Sequence, residues 1–132
     1  MADWREIARE DFSAAMILEQ SAAVAPGAYR AAVNRYYYAA FHLLTQLLVD
    51  AGAQSHFYLG RATPGHRELP ALIQTHLVAL SERKRSALSG AVVRLYRRRE
   101  TADYSTLAID AQYCLESRRF LQQIVVLTGQ KL

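Results

Sequence analysis

Residues 31–44, "AAVNRYYYAAFHLL", decide the fold of this 132-residue chain. Apolar residues recur there every three or four positions, which is typical of a helix with one buried face. The same spacing places polar and aromatic side chains beside that face, namely Arg30, Asn34, Arg35, Tyr38 and His42. We therefore expect a core helix with a polar site along one edge.

A second stretch, residues 95–105 or "LYRRRETADYS", is predicted to end another amphipathic helix. Helical spacing places Arg99 on the buried face, whereas Arg94 and Arg98 share a face that we expect to meet solvent. A guanidinium held against an apolar groove needs an acceptor. Arg99 is therefore the arginine that we place at a site, with either a ligand phosphate or an acidic neighbour such as Asp103 as its partner.

Composition indicates one folded, mainly helical domain spanning residues 1–132. The chain is 52% hydrophobic and holds only 6 glycines and 3 prolines, which disfavours a disordered chain. Its net charge is +4, and all of its 16 basic residues except Lys84 and Lys131 are arginine. Arginine suits phosphate, so the bias favours a nucleotide or RNA partner, although a genome rich in G and C produces the same bias.

The cysteine content and the N-terminal residues indicate the cellular compartment in which the protein is expected. Cys114 is the only cysteine, so no intrachain disulfide can form, and no motif has metal-ligand spacing. Residues 1–10, "MADWREIARE", carry charges where a signal peptide needs an apolar centre. No apolar run is long enough to span a bilayer. We expect a cytoplasmic protein without a membrane segment, a metal or a cofactor.

Periodicity and capping residues predict an all-α fold, an antiparallel bundle of four to five helices. The first predicted helix begins after the cap Asp3, and the second runs from Ala28 to Ala51. The third has Pro70 in its first turn. The fourth runs from the cap Ser81 to Arg99, and the fifth from near Ser105 to about Thr128. The last helix is expected to bury Leu107. Residues 53–67 form a connection long enough to be functional or mobile.

Two groups of residues carry a resemblance to a known family. Arg35, Tyr38, Ala39 and Phe41 form the first group, and Arg99, Ala102, Asp103 and Tyr104 form the second. With "GHRELPALIQTHL" between them, they resemble the HEPN (higher eukaryotes and prokaryotes nucleotide-binding) superfamily. The likeness is to a bacterial subfamily with an Arg-x-x-Ala-Asp-Tyr signature, and it extends from about residue 28 to the end of the last helix.

The resemblance implies a HEPN-like helical bundle that forms a homodimer. Such proteins are often encoded beside a minimal nucleotidyltransferase as a toxin–antitoxin pair. Many are metal-independent endoribonucleases whose Arg-x4-6-His motifs meet across the dimer interface. There the arginine stabilises charge on the scissile phosphate, and the histidine moves the proton of the attacking 2′-hydroxyl.

The sequence departs from that pattern at the histidine. Tyr104 stands five residues after Arg99, and a phenol is a weak general base at neutral pH. Histidines do follow arginines at the required spacing elsewhere, as His42 follows Arg35 and as His66 follows Arg61, but chance explains such matches. We expect the latter histidine to be a solvated or mobile loop residue.

The candidate residues follow from these patterns. Arg99, Tyr104 and His42 are the candidate catalytic residues, and Arg35, Tyr38, Asn34, Asp103 and Arg98 are the candidate ligand-binding residues. Structural roles compete with each assignment: a hydrogen-bonded core histidine, a tyrosine that satisfies a buried acceptor, and an aspartate that caps a helix or pairs with an arginine.

Three functions remain open. The missing histidine favours a nucleotide-binding, RNA-binding or nucleotidyltransferase-partner module, in which Tyr104 is also a candidate for nucleotidylation. The alternatives are a metal-independent ribonuclease toxin acting at a dimer groove and a non-catalytic dimeric interaction subunit.

Overall fold

Five α-helices make up most of the chain. A computed structural model describes residues 3–23 and 25–132, and these residues form no strand. The helices are α1 (Trp4–Gln20), α2 (Ala28–Asp50), α3 (Leu69–His76), α4 (Glu82–Tyr104) and α5 (Ala111–Thr128). The predicted all-α helical bundle is confirmed. None of the described helices combines the length and apolar character that crossing a bilayer requires.

Helix α2 lies at the centre and contacts α1, α4 and α5. Its apolar side chains that follow one another at three- or four-residue spacing are all buried, namely Val33, Tyr37, Phe41, Leu44 and Leu48. Helix α1 runs antiparallel to it, because Arg5 near the start of α1 pairs with Asp50 at the end of α2. At the other end of α1, Glu19 accepts a hydrogen bond from Tyr36.

Side-chain caps fix where the helices begin. The Asp3 carboxylate accepts from the Arg5 backbone N–H at 2.9 Å, and the Ser81 hydroxyl accepts from the Lys84 backbone N–H at 3.2 Å, so both predicted caps are confirmed. The third cap, Asp110, was not predicted, and it starts α5.

The predicted boundary between the last two helices is wrong. Helix α4 continues past Arg99 to Tyr104, and α5 begins only after residue 110. Ser105 explains the difference, since its backbone is extended and its hydroxyl donates to the Thr101 carbonyl, which ends α4. The segment that follows lies at the surface, so Leu107, expected in the core, is 64% exposed.

Arg30 fastens the start of α2 to the end of α4. Its Nη1 donates to the carbonyls of Ala102 at 2.7 Å and Ser105 at 3.0 Å, and its Nη2 donates to the carbonyl of Leu107. A cation at a helix C-terminus also stabilises the helix dipole. These contacts set the polar edge of α2 beside the last turns of α4.

The connection between α2 and α3 packs against the core. It contains two short 3-10 turns, Gln54–His56 and Tyr58–Gly60, and it buries Phe57 and Pro64. Because these residues anchor the segment, His66 lies against α2, where it contacts the hydroxyl of Tyr37.

Candidate functional site

Arg99 lies in the crevice between α2 and α4, and its side chain is 11% exposed. Nη2 donates to the hydroxyl of Tyr38 at 3.2 Å. The buried Nε is 3.2 Å from Oδ2 of Asp103, one helical turn away, but its N–H is not aligned for a hydrogen bond. Arg99 therefore lies on the buried side of α4, as the spacing predicts. Among the described residues, no side chain or carbonyl accepts a hydrogen bond from its Nη1.

Four tyrosine rings surround the Arg99 guanidinium. Its Cζ lies between 5.5 and 5.8 Å from the ring centroids of Tyr37, Tyr38, Tyr96 and Tyr104. Such distances allow cation–π attraction. Burial disfavours the charged form, but the neighbouring Tyr38 and Asp103 outweigh it and raise the pKa of Arg99. The crevice thus holds a permanent positive charge.

Side chains of α2 extend this polar cluster away from Arg99. Oδ2 of Asp103 accepts from Nδ2 of Asn34 at 2.9 Å. Oδ1 of Asn34 accepts from Arg35 at 3.0 Å from Nε and 2.8 Å from Nη2. Nη1 of Arg35 in turn donates to Oδ1 of Asp11 at 3.1 Å. The structure thus joins three of the predicted ligand-binding residues, Asn34, Arg35 and Asp103, in one hydrogen-bond network that ends at Asp11.

Asp11 also contacts His42 at the end of this hydrogen-bond network. The sequence analysis did not identify Asp11 as a site residue. Nδ1 of His42 lies 2.6 Å from Oδ2 of Asp11, and its ring stacks on Trp4 at 5.3 Å between centroids. Asp11 is buried on α1 between Ala8 and Ala15 in the helical repeat. An acidic residue on that apolar face was the signal that it has a buried partner.

The expectation that His66 is a solvated loop residue is wrong, because its ring is half-buried. Its Nδ1 lies 2.7 Å from the Tyr37 hydroxyl, and its ring stacks on Tyr96 at 5.6 Å between centroids. Its ring is also 4.7 Å from that of Phe41. Burial and the positive charge of Arg99 lower the pKa of His66, so the neutral ring predominates at neutral pH.

His42 and His66 both lie near Tyr38, the tyrosine whose hydroxyl accepts a hydrogen bond from Arg99. The ring centroid of Tyr38 is 5.9 Å from that of His42 and 5.9 Å from that of His66. Helical spacing within α2 places His42 beside Tyr38, whereas His66 arrives from the connection, where Arg61, the preceding residue of its motif-like pair, lies over Tyr58 instead. Tertiary packing thus brings Arg99 and His66 to the Tyr38 ring, beside which His42 already lies.

Open space adjoins the site on the side of His66. A cavity of about 220 Å³ is lined by Tyr37, His66, Arg67, Tyr96, Arg97 and Glu100, among others. A second cavity of about 380 Å³ shares His66, Arg67 and Tyr96 with the first. Neither Arg99 nor Tyr104 is a lining residue of these two cavities, which lie on the far side of the His66 ring from the crevice.

Arg98 does not join this site, and the expectation that it faces solvent is wrong. Helix α5 covers it, so its side chain is 17% exposed. Its guanidinium lies 3.8 Å from the Tyr113 ring centroid and donates to Ser117 Oγ and to the Tyr113 carbonyl, each at 2.9 Å. Tyr104, in contrast, stands at the rim of the Arg99 crevice and is 76% exposed.

Within residues 3–23 and 25–132, no group of three or more His, Cys, Asp or Glu side chains is arranged to hold a metal ion.

No protein-family model, curated protein or solved structure matches this chain.

Proposed function

We propose that this chain is a HEPN-like domain that binds RNA or a nucleotide through a phosphate held by Arg99. The observation that carries the proposal is a charged guanidinium, almost buried among tyrosines, whose Nη1 has no acceptor among the described residues. The Nη1 and Nη2 edge of a guanidinium matches two phosphate oxygens. Tyrosine rings next to a bound phosphate also offer stacking surfaces for bases.

Binding of a fluorescently labelled single-stranded RNA, followed by anisotropy across a salt series, tests this proposal. Arg99→Met keeps the apolar stem and removes the charge. We expect about tenfold weaker binding and a salt slope smaller by about one. Arg94→Met is the matched control, since Arg94 is exposed on the same helix. Equal affinity of Arg99→Met and the unaltered protein would contradict the proposal.

A second candidate function is that of a metal-independent endoribonuclease. Arg99 and His66 contact the same three rings, those of Tyr37, Tyr38 and Tyr96. A guanidinium and a histidine are the two groups that phosphodiester cleavage by a ribose 2′-hydroxyl needs. Incubation with total RNA in EDTA is expected to yield 2′,3′-cyclic phosphate ends, and Arg99→Ala is expected to abolish them. RNA that stays intact would rule out this candidate.

The exposure of Tyr104 favours a role as the partner of a minimal nucleotidyltransferase in a toxin–antitoxin-like system. Its phenol stands free at the rim, within reach of another protein. Co-expression with the adjacent gene product is expected to give a stable complex and a mass increase of one nucleotidyl group, which Tyr104→Phe removes. Absence of both the complex and the mass increase would count against this role.

The homodimer implied by the resemblance is proposed to use the same rim. Leu107 lies close to Tyr104 in sequence and is also exposed. Analytical ultracentrifugation is expected to report a dimer for the unaltered chain and a monomer for Leu107→Glu. A monomeric unaltered chain would contradict the dimer.

A further inference from the structure

We propose that His66 and His42 of one chain form the acid–base pair for RNA cleavage at this site, with Asp11 positioning His42. The inference rests on the ribonuclease activity put forward above. It differs from a motif in which one arginine and one nearby histidine act across a dimer, since both histidines here come from the same chain.

Hydrogen bonding leaves the same nitrogen available on each ring. The reaction requires the tautomer of His66 in which Nδ1–H donates to the Tyr37 hydroxyl, 2.7 Å away, and Nε2 is unprotonated, while Nδ1–H of His42 donates to Asp11, 2.6 Å away. No hydrogen bond within the described part of the chain involves Nε2 of either ring. A partner at Nδ1 fixes the orientation of an imidazole and leaves Nε2 to exchange a proton with a substrate.

His66 is suited to accept the first proton. It lines the cavity next to the crevice, so a ribose can approach its ring. The titratable and charged groups around it are Tyr37, Tyr38 and His42 of α2, Tyr96, Arg97, Arg99 and Glu100 of α4, and Tyr58, Arg67 and Glu68 of the connection. Burial and Arg99 keep this ring neutral, with Glu100 opposing them.

His42 is suited to donate the second proton. Asp11 holds its Nδ1–H, and the bond from Arg35 to the other oxygen of Asp11 fixes the carboxylate in place. The charged and aromatic groups around His42 are Asp11 and Trp4 of α1, Arg35, Tyr38 and Phe41 of α2, and His66 of the connection. A carboxylate at Nδ1 stabilises the imidazolium that carries the proton.

The reaction is a transphosphorylation that needs no co-reactant. The ribose 2′-hydroxyl loses its proton to Nε2 of His66 as O2′ bonds to phosphorus. The bond from phosphorus to O5′ breaks, and O5′ takes the proton from Nε2 of His42. Arg99 neutralises charge on the non-bridging oxygens. The products are a 2′,3′-cyclic phosphate and a 5′-hydroxyl, and proton exchange with water restores both rings.

A labelled random-sequence single-stranded RNA pool in EDTA is the probe. The unaltered protein is expected to cleave it with a bell-shaped pH profile. His66→Gln and His42→Gln are each expected to lower the rate by about 10²- to 10⁴-fold. His76→Gln is the matched control, because the ring of His76 contacts His56 instead. Cleavage at the unaltered rate in either site variant would overturn the proposal.

Sulfur in place of the bridging O5′ at the preferred cleavage position separates the two roles. A thiolate leaves without a proton, so this substrate is expected to restore cleavage by His42→Gln but not by His66→Gln. Asp11→Asn is expected to be slow on the ordinary RNA and restored by the sulfur substrate. A variant that is merely unstable stays slow on both, and that result for Asp11→Asn would overturn its positioning role.

Binding of the same RNA pool distinguishes a failure of the two-histidine mechanism from a failure of phosphate binding by Arg99. If the unaltered protein binds the pool and leaves it intact, the two-histidine proposal is overturned while phosphate binding by Arg99 stands. If Arg99→Met binds as tightly as the unaltered protein, the proposed function itself fails.

Discussion

Replacement of Arg30 by methionine tests whether the contact between α2 and the end of α4 stabilises the fold. Methionine keeps an apolar stem of similar length and removes every donor to the carbonyls of Ala102, Ser105 and Leu107. The first two bonds are partly buried, whereas the carbonyl of Leu107 is exposed and regains a hydrogen bond from water.

The expected loss of stability is about 2 kcal/mol. The two partly buried hydrogen bonds from a charged donor contribute about 1.5 kcal/mol each, at the lower end of the range, and the charge at the helix C-terminus adds about 0.5 kcal/mol. The conformational freedom that the released side chain regains offsets about 1.5 kcal/mol of this sum. For a chain of this size, that loss lowers the melting temperature by about 6 to 8 °C.

Urea denaturation followed by circular dichroism measures this loss. Arg30→Met is expected to lower the denaturation midpoint with an unchanged slope, whereas Arg94→Met, on the exposed side of α4, is expected to leave it in place. A change below about 0.5 kcal/mol in Arg30→Met would refute the reasoning, because a surface substitution does the same.

Three further predictions concern the bundle and its histidine. Arg98→Ala is expected to cost about 1 to 2 kcal/mol in urea denaturation, since it loses the Tyr113 stack and two hydrogen bonds, and an unchanged midpoint would contradict this. Leu121→Ala, in the buried core, is expected to cost about 2 to 5 kcal/mol in the same assay, and a loss under 1 kcal/mol would be inconsistent with its burial. Burial lowers the pKa of His66 below 6.5, so its contribution to stability is complete above pH 6.5 and declines as the pH falls. His66→Gln should therefore flatten the decline of melting temperature below that pH, and an identical decline would contradict the burial effect.

Local patterns predicted most of the fold. The apolar repeat of α2 identified its buried face, and the caps Asp3 and Ser81 marked two helix starts. These signals lie within one or two turns of the chain, so the sequence contains them directly. The start of α5 was missed because a serine within a helical pattern competes as a cap, and Ser105 ends α4 instead.

The site was predicted only where it depends on helix faces. Arg99 and Tyr38 lie on facing sides of α4 and α2, as their spacing indicates. The position of His66 depends on the path of a long connection, which no local pattern fixes. Arg98 was misplaced for a related reason, since periodicity shows which side chains share a face but not which helix covers it.

The most direct test of a phosphate site at Arg99 is an NMR titration that observes arginine side-chain N–H and histidine ring signals while single-stranded RNA is added. We expect saturable shifts of the Arg99 guanidinium and of His66, with the exposed Arg94 unaffected. Shifts of Arg94 as large as those of Arg99, or an Arg99 signal that does not move as RNA binds, would contradict the phosphate site.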